Sequence, residues 1–542
     1  MSFDNKENRK AFGAKPFDRE RKPFGAGKQG NRSTAPGANG RSGNSRPSGS
    51  RPSGQHAAPS RPFGTKPAAP RPFGTKPAAP KPYGKPAETA SNHVITIDKS
   101  ARYIAFMALQ DVLKKDTYAN MALDARFNTV NMSQADKRLA TSITYTTLEN
   151  LIRIDHILSQ FLQDTSSLPE NLIDLLRTAV CQMFFMDKLP ENAIVDETVK
   201  ISKYIKLESL SGVVNGVLRN IIRKKDEIVY PSPEEKSKYI SIMHSMPEWI
   251  VKMLIDEYGE EEAEKICAFR KDKHPITIRF NRNRFTNESF EKQVLSKKVW
   301  TWEKGILPDS YYVYGISELS RDNDYLAGNY SVQGESSMIS AMAVNPKVGK
   351  NVLDCCAAPG GKTAWIAETM LGTGRVYAWD VHDHRVALIR AMQKRLQLDN
   401  IRPAVHDALA VKPDLIGTMD AVLLDAPCSG IGVMDDKPDI KLHITKESVD
   451  ELCALQEKLL DTCCEYVKRG GTFVYSTCSI LPCENKKQIK AFLECHPDFK
   501  VAKFPDSIPD SISCQADELG LQLLTSRDNV EGFYIVRMKR ER

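Results

Sequence analysis

At 542 residues, 41% apolar and 27% charged with a formal net charge of +8, the chain is long enough for three or four folded units at roughly 150 residues each. No apolar run reaches the ~18 residues that a membrane helix needs, and the opening MSFDNKENRK has no apolar stretch after its charges, so neither a membrane-spanning nor a secreted protein is expected. Twelve cysteines, with no CxxC and no Cys/His cluster of zinc spacing, point to free thiols in a reducing cytoplasm and to no metal.

Residues 1–94 form the first segment. Its first 90 residues hold 18 Lys and Arg against 5 Asp and Glu, a charge of +13 that leaves −5 for the rest of the chain. They also hold 26 of the 62 Gly and Pro residues, and RPFGTKPAAP at 61–70 is repeated at 71–80. Such a stretch has too little apolar surface to offset its ordering entropy, so a disordered basic Pro/Gly-rich tail is expected. Its cations can neutralise phosphates while Phe63, Phe73 and Tyr83 stack on unpaired bases; a solubilising spacer is the plainer alternative.

Over residues 95–228 apolar residues recur at helical spacing, as in Tyr103, Phe106, Met107, Leu109 and Val112, or Leu151, Ile154, Ile157, Leu158 and Phe161. About six helices are expected, with Ser133 as an N-cap, Pro169 and Pro190 at helix starts, and polar breaks such as Gln163–Ser167. Val213-Val214-Asn215-Gly216-Val217-Leu218-Arg219-Asn220, preceded by Pro190–Glu197, resembles the NusB-like RNA-binding domain, and the resemblance implies an RNA-binding role.

Residues 229–330 begin with a Pro231-Ser232-Pro233 linker, followed by a helix opening at Met246-Pro247-Glu248-Trp249. After Pro275, Ile276, Ile278 and Phe280 alternate with polar residues, so a strand and then a small α+β module are expected. Arg279, Arg282 and Arg284 read as plain surface arginines or as RNA contacts.

Residues 331–542 are the informative part. Strands at Val352–Asp354, Arg375–Asp380, Pro403–His406, Ala421–Asp425 and Thr472–Ser476 alternate with helical stretches, which predicts an α/β Rossmann-like, mainly parallel sheet with ligands at the strands' carboxyl ends. The first strand runs into Cys356-Ala357-Ala358-Pro359-Gly360-Gly361-Lys362-Thr363. A phosphate-cradling loop needs glycine where Cys356 stands, so an ATPase is disfavoured; what remains is a small-residue turn opening a helix, where backbone N–H groups meet a ligand carboxylate. S-adenosylmethionine carries such a carboxylate. Asp380 is placed for ribose hydroxyls and Asp407 for an adenine, although either alone reads equally well as a helix cap. Cys428 and Cys478 end neighbouring strands and point at one crevice, whereas Cys181, Cys267, Cys453, Cys463, Cys464 and Cys495 read as inert buried thiols and Cys514 as a surface thiol.

These motifs resemble the Fmu/Sun family of RNA 5-methylcytosine methyltransferases over residues 95–540, and within it the bacterial small-subunit rRNA enzymes that carry a NusB-like domain. Further matches are Leu424-Asp425-Ala426-Pro427-Cys428-Ser429-Gly430 and Gly470–Ser479 followed by Glu484-Asn485, while Gly334 departs from the family's usual Asp. The resemblance implies that Cys478 attacks cytosine C6, that Cys428 assists breakdown of the adduct, and that Asp425 bonds the base. It leaves Lys362 to hold either the methionine carboxylate or the base. It also implies S-adenosylmethionine as co-substrate, bound through 356–362, Asp380, Asp407 and Asp425, and an unpaired rRNA loop as substrate. A monomer is expected. The competing readings are an antitermination-type RNA-binding protein, an assembly scaffold and a DNA cytosine methyltransferase.

Overall fold

The computed structural model describes residues 96–541, apart from 116, 163–166, 272–274 and 317–318. The expectations for the basic tail, and for most of the polar break after Leu162, lie outside the described residues.

Among the described residues of 96–228 the helical periodicity is realised as seven α-helices: Ala101–Lys115, Ala119–Phe127, Gln134–Glu149, Leu151–Ser159, Glu170–Phe184, Glu191–Tyr204 and Ser211–Arg223. Ser133 caps the third, its Oγ accepting from the Asp136 N–H, and Pro169 and Pro190 stand at the N-caps of the fifth and sixth. Ile154, Ile157, Leu172, Leu176, Val180, Val214 and Leu218 meet in one of its cores, as i, i+3, i+4 spacing requires. Three further helices follow: Lys236–Met243, Glu248–Tyr258 and Glu260–Ala268. Their Ile250, Leu254 and Ile266 pack with Ile431, Ile480 and Leu524 of the carboxy-terminal domain.

The small module comprises β1 (Ile276–Phe280), a helix (Asn287–Gln293), β2 (Thr301–Lys304), β3 (Ser310–Tyr314), a single helical turn (Asn323–Leu326) and β4 (Tyr330–Val332). Its antiparallel sheet has the order β2-β3-β1-β4, the βαββαβ arrangement of ferredoxin-like folds, and β4 runs past residue 330. Here the reading of the arginines is corrected. Arg279 is fully buried, its guanidinium donating to Glu368 at 2.6 Å and to Gln333 at 2.7 Å. Arg282 pairs with Asp309 at 2.8 Å and lies over the Trp365 ring, and Arg284 donates to the Ala327 carbonyl and to Gln397. The polar positions of β1 look solvent-facing because they alternate with apolar ones. Arg279 is buried because that face packs on the next domain, whose Glu368 neutralises it, while Thr277 is half-buried.

In the carboxy-terminal domain, β5 (Asn351–Asp354), β6 (Arg375–Asp380), β7 (Ile401–Val405), β8 (Met419–Asp425) and β9 (Val467–Thr477) pair in parallel. β10 (Phe499–Val501), β11 (Leu521–Leu523) and β12 (Phe533–Arg540) add antiparallel pairings in a sheet ordered β10-β12-β9-β8-β5-β6-β7, with β11 on β12. Period-two alternation sends Val352, Ala421 and Leu423 into one core, under helices Glu335–Val344, Gly361–Thr369 and Asp383–Leu396. Leu353, Val422 and Leu424 enter the other, under helices Lys446–Cys464 and Lys486–Cys495. Burial on both faces is why these strands read as unbroken apolar runs. β9 starts at Val467, ahead of the expected Thr472, because its pairing with β8 is broken by an irregularity spanning Lys468–Gly471. β5 lies between β6 and β8, so strand order reverses beside it and opens a crevice at its carboxyl end.

Candidate active site

The loop after β5 lines that crevice. The Ala357 N–H donates to the Trp379 carbonyl at 2.7 Å and ties the loop to β6. Gly360 takes φ +109, a conformation that L side chains rarely adopt, and a Cβ there would press on Met392. It caps helix Gly361–Thr369 without any side-chain hydrogen bond, so the helix opens with N–H groups that no side chain has claimed. Beneath the loop, Asp354 is fully buried and accepts from Thr363 Oγ1 at 2.6 Å. Burial pushes its carboxyl up to about 7, against that hydrogen bond.

The expected ribose ligand, Asp380, is buried at the end of β6. Its carboxylate accepts from the His382 N–H and lies 3.2 Å from Arg385, which also donates to the Ala358 carbonyl at 3.0 Å. Arg385 thereby couples the loop to the aspartate, a link with no mark in the sequence. Asp407 follows β7, is exposed, and accepts from the Leu409 N–H.

At the ends of β8 and β9 the expected residues converge. Cys428 Sγ and Cys478 Sγ are 3.2 Å apart, both half-buried. One oxygen of Asp425 accepts from Lys362 Nζ at 2.7 Å and the other from Ser476 Oγ at 2.7 Å. Lys362 also lies over the Phe533 ring. Burial alone would lower the Lys362 amine, but Asp425 outweighs it and holds the ammonium above its usual range. The two thiols are split by their mutual hydrogen bond. It lowers Cys478, with help from Lys362 and Lys437 and against burial and Asp425, while the same bond and burial raise Cys428. The arrangement therefore offers one thiol shifted toward the thiolate, one shifted toward its S–H form and a lysine–aspartate ion pair.

Two devices hold the cysteine loops together. Glu484, fully buried, accepts from the Ser429 N–H at 2.7 Å, from the Ser429 and Ser479 hydroxyls, and from Gln456 at 3.1 Å. Gly432 donates its N–H to the Cys478 carbonyl at 3.0 Å and accepts from the Gly532 N–H at 2.8 Å, where a Cβ would collide with the Gly532 carbonyl. Ser476, Lys437 and the two glycines were not singled out from sequence; only their places beside the cysteine motifs could have signalled them. Of the thiols read as buried and inert, Cys495 is exposed, because it ends an amphipathic helix on its solvent side. Cys514 is exposed as expected.

The sequence model of the 16S rRNA methyltransferase RsmB/F family matches residues 341–539, that of the NusB family residues 99–223, and that of an RsmF/B-like ferredoxin-like domain residues 246–310. A Bacillus subtilis protein described as a probable ribosomal RNA small subunit methyltransferase B is 33% identical over 444 residues, covering 82% of this chain and 99% of its own. A Shewanella oneidensis ribosomal RNA small subunit methyltransferase B is 30% identical, covering 81% and 98%. The crystal structure of PH0851 shares the fold at a TM-score of 0.68 and 24% identity, over 82% of this chain and 99% of that one. With matches of this length and order over the same domains, the chain belongs to the RsmB/F family of 16S rRNA methyltransferases.

Proposed function

We propose that this chain methylates C5 of a cytosine in small-subunit rRNA, with S-adenosylmethionine as methyl donor, through a covalent adduct between Cys478 and C6 of the base. The observation that carries the reading is the Cys428–Cys478 pair, 3.2 Å apart and split in acidity, beside the Lys362–Asp425 pair. S-adenosylmethionine, when bound, supplies an electrophilic methyl group. The open helix end at Gly360–Gly361, flanked by Asp380, Asp407 and Asp425, suits a ligand with a carboxylate, a ribose and an adenine.

Cytosine C5 is too weak a nucleophile unless the ring is first saturated at C6. The Cys478 thiolate adds to C6, making C5 enamine-like. Asp425 accepts from the exocyclic amine, and Lys362, already turned toward Asp425, offers a donor as negative charge grows on the ring. That orientation favours the base over the methionine carboxylate as the partner of Lys362. After methyl transfer a solvent base takes the C5 proton, its C–H electron pair re-forms the C5–C6 double bond and the C6–S pair leaves on Cys478, with the Cys428 S–H steadying the departing thiolate. The crevice cannot reach a stacked, paired base, so an unpaired or flipped nucleotide is the substrate.

The test is a denaturing gel of wild type, Cys428→Ala and Cys428→Ala/Cys478→Ala after incubation with S-adenosylmethionine and small-subunit rRNA. Cys428→Ala alone is expected to give a heat-resistant protein–RNA band, whose digestion locates the cytosine. Absence of the band, with wild type still methylating, would overturn the division of roles between the two thiols.

A further inference from the structure

The segment that leaves the cysteine motif does not stay within its own domain. From Gly430 it runs through Gly432 and Lys437 to the short helix Ile440–His443, where it meets the helical domain. Helix Ala119–Phe127 has Tyr118 at its N-cap, with no side-chain hydrogen bond of its own. Its Ala119 N–H is instead accepted by Asp439 Oδ2 at 2.9 Å, from 320 residues away. Helix Gln134–Glu149 ends with the Glu149 carbonyl, to which Lys441 Nζ donates at 2.7 Å. Asp439 is 3% exposed and Lys441 4%, too buried to be ordinary surface polar groups. An acceptor thus meets the first N–H of one helix, and a donor meets the last carbonyl of another.

Between the two caps, Ile440 reaches back to Gly430, where its Cδ1 would stand 3.2 Å from an added Cβ. Gly430 takes φ +74 two residues after Cys428. Leu442 packs on the Ala108, Leu109, Val112 and Leu123 cluster of the helical domain, and the His443 and Tyr118 rings meet edge-on. The same loop carries Gly432, whose N–H holds the Cys478 carbonyl. We infer that the helical domain is a positioning element for the catalytic thiols: by capping two of its helices, Asp439 and Lys441 hold the Gly430–Pro438 loop against Cys478. This gives the helical domain a part in the reaction separate from any grip on RNA. It rests on the proposed role of Cys478, but its test does not.

The measurement is the rate of Cys478 alkylation by iodoacetamide against pH, in the full chain without RNA or S-adenosylmethionine. It is read by peptide mass spectrometry, with exposed Cys495 and Cys514 as internal controls. Asp439→Ala removes the acceptor. Ala119→Pro removes the N–H from the other side, at a first helical position that tolerates proline and after a Tyr118 already extended at ψ 144, so the catalytic domain keeps its own sequence. Both variants are expected to slow Cys478 alkylation at pH 7 by about fivefold and to move its profile to higher pH, with Asp439→Asn closer to wild type and the control thiols unchanged. In methylation assays kcat falls with it, while the KM for RNA stays within about twofold. A wild-type alkylation profile in both folded variants would overturn the inference. A shifted profile in variants of an enzyme that transfers no methyl group to rRNA would uphold it and overturn the substrate reading instead.

Discussion

At the scale of single residues, the site depends on which charges surround Cys478. Its thiol is lowered first by the hydrogen bond from Cys428, then by Lys362 and Lys437, while burial and Asp425 act in the opposite sense. A cation that favours the thiolate, when removed, must raise the thiol. Lys362→Met should therefore move the acidic limb of the kcat/KM profile to higher pH. Lys437→Ala should move it the same way, but less, because Lys437 is exposed and its field is screened by salt. Asp425→Asn should move the limb to lower pH, since the carboxylate opposes the thiolate. It should nonetheless slow turnover by about a hundredfold, because a neutral amide replaces the carboxylate proposed to accept from the base. Opposite limb shifts for Lys362→Met and Asp425→Asn, in a pH–rate series, are the signature; shifts of the same sign would mean that at least one of the two groups does not act on Cys478 through its charge.

At the scale of elements, the strands that carry these residues were legible because their alternation serves two cores and their last residues are acidic. The expected and observed ends of β5, β6 and β8 coincide at Asp354, Asp380 and Asp425. The clamp between the cysteine loops was not legible. Glu484 could be recognised as part of a motif, but nothing in the sequence tells a buried carboxylate from an exposed one, and its partners Ser429 and Gln456 lie 55 and 28 residues away. The β9 irregularity was equally hidden, because Gly470-Gly471 reads as a turn before a strand. Glu484→Ala would strand the Ser429 N–H and one of the Ser429 and Ser479 hydroxyls, the other keeping its partner hydroxyl, while the Gln456 amide keeps the Pro427 carbonyl. Buried donors stranded in this way cost about 1–3 kcal/mol each, so a loss of at least about 2 kcal/mol in unfolding free energy is expected from urea titration, together with lost methyl transfer. A variant within about 1 kcal/mol of wild type would show that the clamp is not what joins the loops.

At the scale of the whole molecule, the decisive contacts join segments that no periodicity connects. Arg279 of the small module meets Glu368 of the methyltransferase domain, both fully buried, and Lys441 meets the helical domain at Glu149. Sequence reading treats such residues as surface charges because charged side chains are so seldom buried, and only the fold reveals the partner. Lys441 makes this testable. Burial, and next the neighbouring Arg270, bring its amine down to about 7, with Glu149 and Cys267 acting in the opposite direction. In the unfolded chain a lysine titrates near 10.4. Between these values the unfolded state binds the extra proton, so stability rises with pH across that window and is lost as pH falls back through it toward 7. The slope from this one group is at most about 1.4 kcal/mol per pH unit. Other thiols and amines titrate over the same range, so the quantity to compare is the difference in unfolding free energy between wild type and Lys441→Met, from denaturant titrations at pH 7, 8, 9 and 10. That difference should move in favour of wild type as pH rises, since the methionine carries no proton to lose. A difference that stays constant over the window would mean that Lys441 keeps its charge in the folded protein and meets the Glu149 carbonyl as a full ammonium.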